Sequence, residues 1–233
     1  MRINSFLAKA GLGSRRSVEE LINSGDVQIN GKVAKLSDKV EDADIVTFKG
    51  KEIAPKSKRY FLLYKPVGYI STTEDPHAKN KVVDLVPVEG VFPVGRLDKE
   101  SEGLMILTND GDLALQLTHP RYAHEKEYLV KVKVPSKNGS QLLENAIKFF
   151  KCGVLLDGKK TQSAQIKLIS QEGSIATFNV VLKEGMKRQI RRTFEKAHLE
   201  VLSLKRIRIS QFNLGSLKKG EYKEITVNKL RNI

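Results

Sequence analysis

Residues 52–59 read EIAPKSKR, a polar run broken by Pro55 that has neither the 3.6-residue period of a helix nor the alternation of a strand. This reads as a linker, and it divides the 233-residue chain into a small first part and a large second one. In residues 1–51, Phe6, Leu7, Ala10 and Leu12 suggest a short amphipathic helix ending near Gly11 or Gly13. Ser14 can cap a second helix carrying Val18, Leu21 and Ile22, which stops near Gly25. Val27-Gln28-Ile29 then reads as a strand, Asn30-Gly31 as a two-residue hairpin turn, Lys32-Val33 as the returning strand and Ile45–Phe48 as another. Helix, helix and hairpin make a module of about the smallest size that folds by itself.

Residues 60–233 have a different texture. Strand candidates at 60–64, 91–94, 104–107, 128–134, 165–169, 176–182 and 201–209 outnumber helix candidates at 112–117, 139–149 and 186–197. Neighbouring strands are separated by short turns, which implies an α+β domain built on a mixed, mainly antiparallel sheet flanked by helices. With 40% hydrophobic and 29% charged residues the chain is globular in character. No apolar stretch is long enough to span a bilayer and no signal-peptide pattern opens the sequence, so no membrane partner is expected. The single Cys152 rules out an internal disulfide and fits a reducing compartment, the cytoplasm.

The net charge is +14, and its distribution is informative. Residues 1–59 hold 12 Lys/Arg against 8 Asp/Glu, residues 60–184 hold 16 against 15, and residues 185–233 hold 13 against 4. The excess lies in the first and last parts, as a polyanion touching both would require, and nucleic acid is the expected class of partner. Ser14-Arg15-Arg16 sharpens this expectation. Two guanidiniums at the start of a helix sit where the helix dipole disfavours them, so a phosphate backbone is a natural counterpart; extension into solvent is the alternative. His77, His119, His124 and His198 lack zinc-ligand spacing, and Gly95, Gly103 and Gly111 form neither a dinucleotide fingerprint nor a phosphate loop.

FLAKAGLGSRRSVEELINSGDVQINGKV, within residues 1–50, resembles the S4 RNA-binding domain. The resemblance implies an RNA face on the second helix and the hairpin, with Arg15, Arg16 and Lys32 as contacts. Further on, GRLDKESEGLMILTNDG at 95–111 resembles the signature of the pseudouridine synthases, especially the ribosomal-RNA branch that carries an S4 domain. KPVGYIST at 65–72, HEKEYLV at 124–130 and EGMKRQIRRTFE at 184–195 follow the same family order.

The chemistry implied is isomerisation of uridine to pseudouridine in ribosomal RNA, 23S favoured over 16S, on free RNA or an assembly intermediate, by a monomer. The C1′–N1 bond breaks, the base turns and C1′ joins C5, so no redox cofactor, metal or second substrate is required. One carboxylate suffices, attacking C1′ or acting as a base at the sugar. The resemblance assigns this part to Asp98, with Arg191 as its bidentate partner, Tyr128 stacked on the target base and Arg96 filling the space that the flipped base leaves. A helical i,i+4 pair of Arg191 with Glu195 is the alternative for Arg191, and a core position at a strand end is the alternative for Tyr128. Lys187, Arg188 and Arg192 are expected to meet RNA phosphates. So are Lys205, Arg206 and Arg208, in a strand read as presenting one charged face. Two other readings remain open: a non-catalytic RNA-binding or ribosome-assembly factor, and a synthase acting on transfer RNA.

Overall fold

The computed structural model describes residues 1–226. It forms two compact units, Met1–Arg59 with Val88–Val91, and Tyr60–Pro87 with the described residues from Phe92 onward.

In the first unit, helices α1 (Ile3–Lys9) and α2 (Ser17–Asn23) lie with a four-stranded antiparallel sheet. Its strands are β1 (Val27–Ile29), β2 (Lys32–Val33), β3 (Val46–Phe48) and β4 (Lys51–Glu52), in the order β2-β1-β3-β4. Ile3, Phe6 and Leu7 of α1 and Val18 and Ile22 of α2 bury against Val27, Ala34, Val40 and Val46. Asn30 and Gly31 both take left-handed backbone, φ 50° and 77°, the requirement of a tight hairpin turn.

Two boundaries differ from the sequence reading. Ser14 caps the turn before α2, its Oγ accepting the Ser17 N–H at 3.1 Å. Arg15 and Arg16 therefore precede the helix and do not form its first turn. The expected linker at 52–59 begins inside the unit. Glu52 pairs with Thr47, the Ile53 N–H donates to Val46 O at 2.9 Å, and Ile53 packs on the core. A single apolar residue in a polar run was enough to anchor the backbone.

The second unit is built on one nine-stranded sheet. Its strands are β5 (Tyr60–Lys65), β6 (Phe92–Val94), β7 (Glu102–Thr108), β8 (Lys126–Lys133), β11 (Gln165–Glu172), β12 (Ile175–Leu182), β13 (Glu200–Ile209), β14 (Phe212–Asn213) and β15 (Tyr222–Ile225). A two-stranded hairpin, β9 (Leu155–Leu156) and β10 (Lys159–Lys160), stands apart from this sheet. The main path runs β11-β12-β8-β13-β7-β5-β15, with β6 on β7 and β14 on β13. All pairs are antiparallel except β13 with β7. The α+β class and mainly antiparallel sheet are as expected.

Helix α3 (Gly111–Thr118) follows β7, and Asp110 caps it by accepting the Asp112 and Leu113 N–H groups. Helices α4 (Gly139–Cys152) and α5 (Gln189–Lys196) meet through Phe150 and Phe194, ring centroids 5.0 Å apart, and Phe194 also packs on Phe178 of β12 at 5.3 Å. Helix α5 buries Ile190 and Phe194, which lie four residues apart on one face, but begins at Gln189 and not at 186, because Arg188 is left-handed at φ 51°.

The parallel seam between β7 and β13 is short, with Glu102 opposite Lys205 and Gly103 opposite Arg206. A Cβ on Gly103 would lie 2.6 Å from Arg206 N and closer still to Arg206 O, and Gly103 has φ +114°. Only glycine fits where the two halves of the sheet meet.

Candidate active site

Asp98 lies in the loop between β6 and β7, which is fixed from two sides. From one side come the last residue of β5 and the segment that follows it. Lys65, at 0% exposure, donates from Nζ to three carbonyls: Pro66 O at 3.0 Å, Asp98 O at 3.1 Å and Ser101 O at 2.7 Å. The Gly68 N–H donates to Lys99 O at 2.8 Å. The Ser71 hydroxyl donates to Leu97 O at 2.8 Å and accepts the Leu97 N–H at 3.0 Å. This is the physical content of KPVGYIST: it clamps the backbone of residues 97–101.

From the other side comes α5. Arg191 donates from Nη2 to Glu100 O at 3.0 Å and Ser101 Oγ at 3.4 Å, and from Nη1 to Val201 O at 3.2 Å. Burial and the neighbouring Arg188 guanidinium push the Arg191 pKa down, against the pull of Glu100 and Asp98. The side chain at ion-pair distance from Asp98 is Arg188, with Nη1 3.9 Å from Oδ2 and 2.9 Å from Glu100 Oε2. The expected bidentate pairing of Arg191 with Asp98 is thus not made, and neither is a pair with Glu195. The Arg191 fork instead holds the backbone behind Asp98, and the left-handed turn at Arg188 brings that cation to the carboxylate. Arg188 was assigned by sequence to RNA phosphates.

Asp98 opens into a cavity of about 850 Å³ that is also lined by Arg96, Lys126, Tyr128, Arg188 and Arg206. Its volume falls in the range of small-ligand sites. Arg191 lines a separate, smaller cavity. Tyr128, on β8, is 8% exposed and faces the main cavity, so it is at once the core residue of the alternation and a wall of the site. Directly across the sheet from it stands Arg206 of β13.

Residues 59–196 match the family described as RNA pseudouridylate synthase, and residues 1–46 match the S4 domain. The chain belongs to the RNA pseudouridylate synthase family. It is similar to ribosomal large subunit pseudouridine synthase B of Bacillus subtilis, with 38% identity covering 100% of this chain and 95% of the relative. It is 37% identical to the dual-specificity RNA pseudouridine synthase RluF of Escherichia coli, over 99% of this chain and 77% of that one. A crystal structure of a pseudouridylate synthase superposes with TM-score 0.67 and 26% identity, covering 99% of this chain and 98% of the other.

The cations that sequence assigned to RNA divide in two in this synthase. Arg15, Arg16, Lys32 and Lys187 are exposed, and none makes an ion pair among the described residues. Arg192 is held bidentate by Asp157 at 2.6 and 2.8 Å, Arg208 pairs with Glu127 at 2.7 Å and Glu125 at 3.0 Å, and the Lys205 ammonium sits 5.1 Å from the Tyr64 ring centre. Arg206 departs furthest from expectation, being buried at 3% exposure. A register shift between Arg206 and Arg208 interrupts the alternation, so β13 has no single charged face. Arg206 goes with Tyr128 into the cavity wall, and Arg208 goes to the two glutamates. Sequence reasoning missed the structural use of Lys65 and the cavity placement of Lys126 and Arg206. For Lys65 the KPVGYIST match was the available signal; for Arg206 there was none.

Proposed function

We propose that this synthase converts a uridine of ribosomal RNA to pseudouridine, with 23S RNA as substrate in preference to 16S, in the cytoplasm. The observation that carries the mechanism is the Asp98 carboxylate, on a loop clamped by Lys65 and Arg191, opening into one cavity with Tyr128. The full-length similarity to a relative named for the large subunit supports the choice of RNA.

A uridine turned out of its stack enters base first, with Tyr128 as the flat wall against which it rests and Arg96 at the rim to occupy the vacated place. Asp98 acts at the sugar, by attack on C1′ or as a base, and either route helps the base depart. Arg188 and the backbone clamp hold the carboxylate in place as the base turns to present C5.

Release of tritium from C5-labelled uridine in 23S and 16S RNA tests both parts. The wild type is expected to release tritium from 23S RNA, and Asp98→Asn to release none while still binding RNA. Undiminished release by Asp98→Asn would overturn the mechanism; release from 16S or transfer RNA alone would overturn the substrate.

A further inference from the structure

The cavity wall carries positive charge that the protein itself does not neutralise. Among the described residues Arg206 makes one hydrogen bond, from Nε to Leu104 O at 2.8 Å, and its buried Nη2 has no partner. Among those residues no carboxylate lies at ion-pair distance from it, and its charged neighbours include Lys65 and Lys126, both of like sign. The Lys126 ammonium has one long hydrogen bond, to His124 O at 3.4 Å. Beside it the buried His124 Nε2 also lacks a partner. Lys65 has given its three donors to carbonyls and adds only its field. A guanidinium out of water, unpaired and beside other cations, is costly, and such a site is one at which an anion arrives.

Depth decides which anion. Exposed Lys187 lines the same cavity and suits the RNA phosphates, which remain on the backbone outside, while Arg188 is held by Asp98 and Glu100. Arg206 is almost fully buried and lies opposite Tyr128 on the sheet. The part of a flipped nucleotide that reaches this depth is the base. When C1′–N1 breaks, its electron pair leaves with the base and is shared between N1 and the ring carbonyl oxygens. When C5 then bonds to C1′, the pair forms the new bond, C5 loses its proton and N1 gains one. Between those two events the base is a uracil anion, whether Asp98 attacks C1′ or acts as a base.

We propose that Arg206, assisted by Lys126, is a catalytic residue that stabilises the departing uracil anion. This rests on the function proposed above and adds a leaving-group site that Asp98, Tyr128 and Arg96 do not supply. Donors fixed where charge develops act on the transition state more than on the bound substrate.

The test compares RNA bearing uridine with RNA bearing 5-fluorouridine at the target position. Fluorine makes the base a better leaving group that needs less help. C5 of 5-fluorouridine has no proton to lose, so that base cannot finish as pseudouridine. Conversion is therefore scored for both RNAs as loss of the starting nucleoside, under single-turnover conditions by chromatography of RNA digests, for wild type, Arg206→Gln and Lys126→Gln. Arg206→Gln is expected to slow uridine conversion by about 100-fold, the usual effect of losing one such donor, and 5-fluorouridine conversion by about tenfold or less. RNA affinity and its salt dependence should be unchanged in that variant. Lys126→Gln is expected to show the same discrimination at smaller size. It removes a like-charge contact, so it decides the matter if Arg206→Gln does not fold. Equal losses on both substrates, no loss on uridine, or a loss confined to RNA affinity would each overturn the proposal. Inactivity of the wild type on every RNA would instead overturn the function on which it rests.

Discussion

Lys65 holds three carbonyls with one ammonium, and all three donors are present only while the nitrogen is charged. Burial, reinforced by the nearby Arg206, pushes its pKa down to about 8. As pH rises through that value the amine keeps two N–H donors for three carbonyls, and the loop carrying Asp98 loses a tether. The sign for stability is opposite: the unfolded lysine still binds its proton up to about 10.5, so this group makes folding more favourable between about 8 and 10.5. Single-turnover rates are therefore expected to fall above pH 8 without any loss of folded protein, checked by circular dichroism on the same samples. A rate that stays flat to pH 9.5 would show that the loop does not depend on the charged form. Lys65→Met should lower the rate at every pH, because a buried methionine satisfies none of the carbonyls. At this scale the motifs singled out Asp98 and Tyr128 and included Lys65 without showing its use, and Arg206 stayed hidden, because a lysine or arginine within a strand reads as a solvent-facing residue. Their burial depends on loop carbonyls and a register shift, neither of which leaves a period in the sequence.

Among the elements, the β7–β13 seam makes the strongest demand on a single residue. Gly103→Ala places a methyl group against the backbone of Arg206 in a φ region that alanine avoids. We expect it to lower stability by about 3 kcal/mol or more, read as a lower urea midpoint at unchanged slope. A shift under about 0.5 kcal/mol, the size usual for a neutral surface change, would mean the strands can separate locally at no cost. The long strands and helices were legible from apolar alternation and the helical period: β8 shows its buried Tyr128, Val130 and Val132, and α5 its Ile190 and Phe194. Strand β15 was not, since YKEI has few apolar residues and becomes a strand by pairing with β5, far away in sequence. The parallel pairing of β7 with β13 was equally silent, because two facing residue pairs leave no pattern.

For the whole molecule, a net charge of +14 overstates the surface available to RNA. Arg192 and Arg208 are neutralised by carboxylates and Arg206 is buried, whereas Arg15, Arg16 and Lys32 in the first unit are exposed and make no ion pair among the described residues. Arg15→Ala with Arg16→Ala is expected to weaken RNA binding and to reduce the slope of log affinity against log salt by about 1–2, roughly one for each lost phosphate contact. An unchanged slope would remove these two residues from the RNA interface. The sheet also imposes an order in time. Leu104 and Arg206, joined by a hydrogen bond, lie 102 residues apart along the chain. At roughly 5–20 residues per second, Asp98 leaves the ribosome about 5–20 s before the strand that completes its cavity. For most of that interval neither Arg191 nor Arg206 has been made, so the wall around the Asp98 carboxylate is completed only when β13 follows.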